Sequence, residues 1–274
     1  MTNTSADRPR RWVLLTGLCA AAAACQQSPA PATPTGTSKV ARPPQERQSI
    51  TAPGSAVLNP QGTMPSSRSG PAPLREAIEV GHGPRAGSSV ALTFHGAGPA
   101  PIVRGVLAEL RRGGVRCTVL AVGTWLDGEG ATARLVLDDG HELGNHTQHH
   151  LPMRALSEQA ALREIAGCAA GLCRLTGSTG RWFRPSGTQS TNAVIRRAAA
   201  TAGYRQCLSY DVDSTDWQDP GPAAVVAAVA AAVRPGSVVS LHLGHRGTVA
   251  AIPPLLEELL RRRLRPVTVS QLLG

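Results

Sequence analysis

Four of the eight histidines of this 274-residue chain fall within ten residues, His141-Glu142-Leu143-Gly144-Asn145-His146-Thr147-Gln148-His149-His150. Imidazole is the commonest side-chain metal ligand, and His146 and His150, four residues apart, would aim two rings at one ion if they shared a helical turn. A catalytic metal centre needs at least one further protein ligand and an open position. A divalent ion in such a centre acidifies water and polarises a carbonyl, so the chemistry to expect is hydrolysis of an amide or ester. A departing amine then needs an acid. His242 suits that role, with Asp213 beside it to stabilise its imidazolium form if the strand ends converge. On a helix His149 would point away from the pair. His82, His141 and His245 are assigned no ligand role, and of these His245, in the loop after His242, lies nearest the chemistry.

The rest of the chain has to bring these residues together. Beyond residue 85, short β-branched runs alternate with Ala- and Leu-rich helical runs, the pattern of an α/β domain with mostly parallel strands. Strands are expected over residues 89–94, 117–122, 182–185, 206–210, 237–241 and 267–269, with a short one before His146. Helices are expected over residues 102–112, 132–137, 156–175, 192–202, 223–233 and 252–263. His95, His146, Arg184, residues 211–217 and His242 each follow a candidate strand, so the loops at the carboxyl ends of the strands would assemble one site. Other chemistries are disfavoured. No serine has nucleophile-elbow spacing, and no glycine-rich run continues into a phosphate-loop lysine, the only lysine being Lys39.

Residues 1–25 read as an export signal: Arg8, Arg10 and Arg11, then an apolar run from Trp12 to Ala24 that is too short for a membrane span. Ala22-Ala23-Ala24-Cys25 resembles a bacterial lipoprotein cleavage site with Cys25 lipidated, and Arg10-Arg11 resembles a twin-arginine signal. Residues 26–74, rich in Pro, Ser, Thr, Gly and Gln, cannot bury enough apolar surface to offset their ordering entropy and are expected to form a disordered linker. Residues 75–274 then make a single domain. Cys117, Cys168, Cys173 and Cys207 are an even set that an oxidising compartment would let pair, or else buried free thiols. The formal charge of +10 divides equally: seven basic and two acidic residues in 1–74, twenty-one against sixteen in 75–274. A mildly basic domain suits a polyanionic cell envelope, and without a base-reading motif or stacking aromatics nucleic acid is not an expected partner. A monomer is expected, touching membrane only through its lipid.

Thr93-Phe94, His146-Thr147-Gln148-His149-His150, Phe183-Arg184-Pro185, Asp213-Ser214-Thr215-Asp216-Trp217 and Leu241-His242 resemble, in order, the five motifs of the polysaccharide deacetylases, carbohydrate esterase family 4 or NodB-homology domains. The match runs over roughly residues 85–274. The resemblance implies a distorted (β/α) barrel with about seven parallel strands and a divalent metal, zinc. It implies removal of N- or O-acetyl groups from sugar polymers such as peptidoglycan or a chitin-like oligosaccharide. It implies His146 and His150 as metal ligands, Arg184 as the residue positioning the base, and His242 with Asp213 as the acid. Trp217 would wall the sugar cleft, with Pro185, Ser186 and Leu241 also at the substrate. Trp125 reads as core.

The first motif departs from the family pattern, Thr-Phe-Asp-Asp-Gly, whose two acids are the general base and the third metal ligand. Here His95 stands at the base position and Gly96 at the ligand position. Two readings follow. In one, His95 supplies the missing ligand or acts as base, kept neutral by the fixed charge of Arg184, and the domain is a hydrolase. In the other, hydrolysis is lost and the old cleft binds envelope glycans. The retained histidine pair, Asp213 and His242 favour the hydrolase.

Overall fold

The structure, a computed structural model, describes residues 75–274. The expected export signal, Cys25 and the linker lie outside the described residues. The domain is organised on strand β2 (Ser89–Gly96), of which only Ser89 and His95 are half-buried and the rest is buried. Its alternation sorts two interiors: Val90, Leu92 and Phe94 join the large cluster under the helices, whereas Ala91 joins a smaller cluster with Leu120, Trp182 and Leu208. Thr93 and His95 share the parity of Ala91.

β2 pairs in parallel with β3 (Thr118–Ala121), with β7 (Val238–His242) and, at its first residues, with β8 (Arg265–Val267). β4 (Glu142–Asn145) flanks β3 and β6 (Val212–Asp213) flanks β7, so six strands form one sheet. β1 (Ile78–Val80) and β5 (Gln206–Leu208) form a second parallel pair. Phe183 joins the two sheets by bridging Asn145 and Cys207. All pairings between the eight strands are thus parallel, the α/β arrangement expected, although the strand anticipated over residues 182–185 contracts to that one bridge. β1 was not foreshadowed by any apolar run.

The helices cover the outer faces. α1 (Ala100–Arg112) buries Val103, Val106, Leu107 and Leu110, one stripe at helical spacing. α2 (Gly123–Gly128) and α3 (Gly130–Asp138) follow β3, and α2 buries Trp125, as expected of a core tryptophan. α4 (Glu158–Thr176) is capped by the Ser157 hydroxyl and closed by Gly177 at φ 78°. α5 (Ala193–Thr201), α6 (Pro222–Ala232) and α7 (Arg246–Arg261) complete the layer. α7 starts six residues before the expected 252, running through Pro253 and Pro254. A capping box on Thr268 starts α8 (Val269–Leu273), which is why β8 ends at Val267 rather than continuing to residue 269. Among the described residues Cys117, Cys168, Cys173 and Cys207 are free thiols, three of them buried as in the thiol alternative and Cys173 exposed.

Candidate metal and catalytic centre

Strand register puts His95 of β2 directly beside His242 of β7, at the carboxyl ends of both. His146 follows β4, whose Asn145 is registered with Ala121 on β3. Ring centroids are 4.4 Å apart for His95 and His146, 4.4 Å for His95 and His242, and 4.9 Å for His146 and His150. One nitrogen from each of His95, His146 and His150 lies within 4.8 Å of the other two, close enough for one ion to bridge after small side-chain rotations.

The tautomer of His146 tests that fit. Its Nδ1 lies 2.9 Å from the Arg184 carbonyl oxygen, which can only accept, so Nδ1 carries the proton and Nε2 a lone pair. Nε2 is buried without a partner. Interior polar atoms are rarely left so because the desolvation cost is not recovered, and a divalent ion is the partner that a lone imidazole lone pair beside two others would take. Burial, first, and then the nearby charges of His146, Arg184, His242 and His150 hold His95 well below the ordinary imidazole pKa. Burial and the charge of His150 do the same to His146 against its carbonyl bond, and burial lowers His150. All three are therefore neutral at pH 7, the form that ligates.

The helical-turn expectation for His146 and His150 is corrected. They sit in a loop, and the chain turns back through left-handed conformations at Thr147 (φ 70°) and His150 (φ 57°). Such φ values strain non-glycine residues and persist only where neighbours enforce them. The enforcing contacts are visible. Asn145 Oδ1 accepts the Thr147 N–H at 2.9 Å, and the Gly123 and Thr124 N–H groups bond the carbonyls of Thr147 and Gln148. Glu164 of α4, 6% exposed, accepts the His149 N–H and His149 Nδ1, each at 2.8 Å, and its carbonyl accepts the Gln148 N–H. His149 is thus a fastener pointing at α4, away from the metal site.

A second correction concerns the acid pair. Asp216, not Asp213, holds His242. Asp213 is exposed, and its carboxylate accepts the Thr215 N–H at 2.9 Å. Left-handed Thr215 (φ 56°) then folds Asp216 inward, where it is 1% exposed and accepts His242 Nδ1 at 2.7 Å, the His242 N–H at 2.8 Å and the Thr248 hydroxyl at 2.6 Å. Burial opposes ionisation of Asp216, but the hydrogen bonds and charge of His242, helped by Thr248, outweigh it and hold its pKa below the ordinary value. Asp216 lay within the recognised motif; nothing in the residue order distinguished it from Asp213.

Arg184 is fully buried, donating to the Thr93 hydroxyl at 2.9 Å and the Ser209 carbonyl at 3.2 Å, with its guanidinium 5.3 Å over the Tyr210 ring. Burial lowers its pKa to about 9, so it remains a cation at neutral pH, beside His95 as expected. Gly96 supplies no ligand. Ser240, unforeseen, lies 3.2 Å by its hydroxyl from His95 Nε2; its position two residues before His242 on one strand face was the available signal.

Of the expected substrate residues only Trp217 is open, 52% exposed. Pro185 is buried, Leu241 is buried in the helix-facing core, and the buried Ser186 hydroxyl is occupied by the Leu151 carbonyl at 2.6 Å and the Thr147 hydroxyl at 2.9 Å. None of these three offers side-chain surface to a sugar. Leu241 fails by parity, since it alternates with the site-facing Ser240 and His242. His245 pairs with Asp219 at 2.9 Å, its ring 6.0 Å from that of His242. His141 is buried at the start of β4, at the other end of the strand from the centre.

Comparison with known proteins accords with this geometry. The family described as polysaccharide deacetylase matches residues 82–207. A peptidoglycan-N-acetylglucosamine deacetylase of Bacillus cereus is 34% identical over 197 residues, 67% of this chain and 87% of the relative. A chitooligosaccharide deacetylase of Sinorhizobium fredii is 34% identical over 170 residues, 59% of this chain and 76% of the relative. Among solved structures, a CE4 family pseudoenzyme from Bacillus anthracis shares the fold with a TM-score of 0.68 at 22% identity, over 72% of this chain and 69% of that one. With the motif histidines converging at the strand ends and a relative this similar over most of its length, the chain belongs to the polysaccharide deacetylase family.

Proposed function

We propose that this chain removes acetyl groups from an N-acetylated or O-acetylated envelope polysaccharide, with peptidoglycan as the substrate class, and that His95, His146 and His150 hold the divalent ion, zinc, that it requires. The observation that carries this reading is the convergence of three neutral imidazoles around the unpartnered Nε2 of His146. A bound divalent ion supplies polarisation of the acyl carbonyl and acidification of water. With Nδ1–H held by Asp216, His242 presents a bare Nε2. His242 takes a proton from water as its oxygen joins the acyl carbon, and Asp216 stabilises the resulting imidazolium. When the carbon–nitrogen bond breaks, the same Nε2 proton passes to the leaving amine. In the absence of the two carboxylates of the family pattern, His242 thus serves as base and then as acid, and His95 is freed to be a ligand. Trp217 stacks on a sugar ring at the rim. The chain works as a monomer exported to the outer face of the cytoplasmic membrane, tethered through Cys25 and residues 26–74.

The rival, a glycan-binding domain without hydrolysis, rests on the loss of both first-motif acids. Metal analysis and acetate release on acetylated peptidoglycan separate the two. The purified chain is expected to hold one equivalent of metal and to release acetate, and His95→Ala to weaken metal binding. A chain that stays metal-free on zinc addition and releases no acetate would overturn the proposal.

A further inference from the structure

The amino ends of the strands carry a feature with no part in the metal centre. A groove of about 1020 Å³ runs there between the end of α1, the end of α7 and the start of β8. Its floor includes Val115, Leu256 and Leu264, and Arg112, Arg116, Arg263 and Arg265 line it together with only two acids, Glu109 and Glu257. At its lip Leu260 is 76% exposed, the highest value among the large exposed hydrophobic side chains of the described residues. Around it, Arg111, Arg112, Arg261 and Arg262 pair with Asp139, Glu109 and Glu258. Arg116, Arg263 and Arg265 have no carboxylate partner among the described residues.

The charge differs between the two ends of the strands. Residues 212–233, which carry β6 to the catalytic end, hold Asp213, Asp216 and Asp219 and no arginine or lysine, set against Arg184 and Arg246 at that end, whereas Asp211 sits before β6 with its carboxylate on Arg85 and the Val238 N–H. In the parallel register Ser89 of β2 lies opposite Arg265, and His95 opposite His242. Six residues of strand separate the two levels, about 20 Å at 3.3 Å per residue.

We propose that this arginine-rimmed apolar groove docks the domain on an anionic phospholipid surface, with guanidinium groups on lipid phosphates, Leu260 in the acyl boundary and the metal centre turned away from the membrane. The guanidinium fork matches phosphate geometry, and arginines unpaired with carboxylates are free to use it. An apolar floor and an exposed leucine inside a cationic rim match a lipid interface, whereas a soluble polyanion would satisfy only the rim. The inference is independent of lipidation at Cys25 and of hydrolysis. Residues 26–74, with four basic side chains and one acidic, add charge of the same sign on the chain leading to the domain.

The test is co-sedimentation of the full chain carrying Cys25→Ser with vesicles rich in phosphatidylglycerol, against vesicles of phosphatidylcholine alone. Binding is expected to the former only. A basic residue near an anionic surface contributes about a factor of five, so Arg116→Glu with Arg263→Glu is expected to weaken partitioning at least about 25-fold. Leu260→Asp is expected to weaken it as well, while a thermal melt checks that each variant is folded. Three results would overturn the proposal: no binding to phosphatidylglycerol, a double variant that binds as the parent does, or loss on charge reversal with Leu260→Asp unchanged and displacement by a soluble glycerol-phosphate polymer. The second would place the interaction in residues 26–74, and the third would make the groove a site for soluble polyanions.

Discussion

Replacing Asp216 tests the catalytic pair most directly, because one buried carboxylate carries three hydrogen bonds, to His242 Nδ1, the His242 N–H and the Thr248 hydroxyl, at 2.7, 2.8 and 2.6 Å. A hydrogen bond to a charged acceptor contributes about 1.5–3 kcal/mol, and the cost of burying the carboxylate offsets part of the sum. Asp216→Ala is therefore expected to lose about 2–4 kcal/mol of unfolding free energy, read by urea denaturation. Its effect on turnover follows from orientation: without an acceptor for Nδ1–H, the ring is no longer held with Nε2 bare toward the cluster. Positioned acid–base catalysis contributes about 10²–10⁴-fold, so kcat for acetate release should fall by that range with little change in KM. Asp216→Asn keeps the shape and most of the stability but turns an amide toward Nδ1, and should reproduce the kcat loss. Asp213→Ala removes only a bond to the exposed Thr215 N–H, and should cost a few-fold at most. An Asp213→Ala defect as large as that of Asp216→Asn, or an Asp216→Asn enzyme with parental kcat, would refute the assignment.

Three further outcomes are expected. In chelator-treated protein, the pKa of His95 and of His146 lies well below the 6.5 of the unfolded chain. Below pH 6.5 the unfolded state then binds more protons than the folded one, and stability falls on acidification by about 1.4 kcal/mol per pH unit for each histidine. Urea midpoints that stay flat from pH 7 to pH 5 would exclude buried neutral imidazoles. Glu164→Ala should weaken metal binding about 10- to 100-fold by releasing the strained loop at His150, with Glu164→Gln intermediate; unaltered affinity in titration calorimetry would mean that the loop holds itself. Gly96→Asp, which would rebuild half of the family's acid pair, should destabilise by about 1–3 kcal/mol rather than add a ligand. A Cβ there would meet Val119 Cγ1 at 2.7 Å, Ala121 Cα at 2.8 Å and the Leu120 carbonyl at 2.9 Å; parental stability with tighter metal binding would contradict this.

The parts legible in the sequence were those set by local pattern. Short β-branched runs located β2, β3, β5 and β7, and an Ala- and Leu-rich run ending before Gly113 located α1. The sequence position of His95, His146 and His242 just after strands sufficed to place them at one end of the sheet. What escaped was set by tertiary contact. Spacing of four suggested a helical turn for His146 and His150, but that turn is formed by left-handed residues fastened to Glu164, fourteen positions beyond His150. The choice between Asp213 and Asp216 depended on the sign of φ at Thr215. Leu241 was adjacent to His242 in sequence and therefore on the opposite face of the strand.

The change at the first motif is better understood as a change in charge than as the loss of two groups. Position 95 has the interior parity of Thr93, so a side chain there reaches the other histidines, while a Cβ at position 96 would run into β3. Histidine at position 95 can therefore act as a ligand, and no carboxylate is needed at position 96 to complete three. Arg184, which in the family orients an acid, is left buried with only neutral partners and an unpartnered Nε. A buried cation in that state is costly, and its field is not cancelled by a nearby counter-charge. Burial is the main cause of the lowered His95 pKa, and the charge of Arg184, after that of His146, adds to it and helps keep that ring in the ligating form. Once a divalent ion joins it, the pocket holds two cationic groups against Asp216, which is already committed to His242. That balance would favour negative charge developing on the acyl oxygen and leave proton transfer to His242.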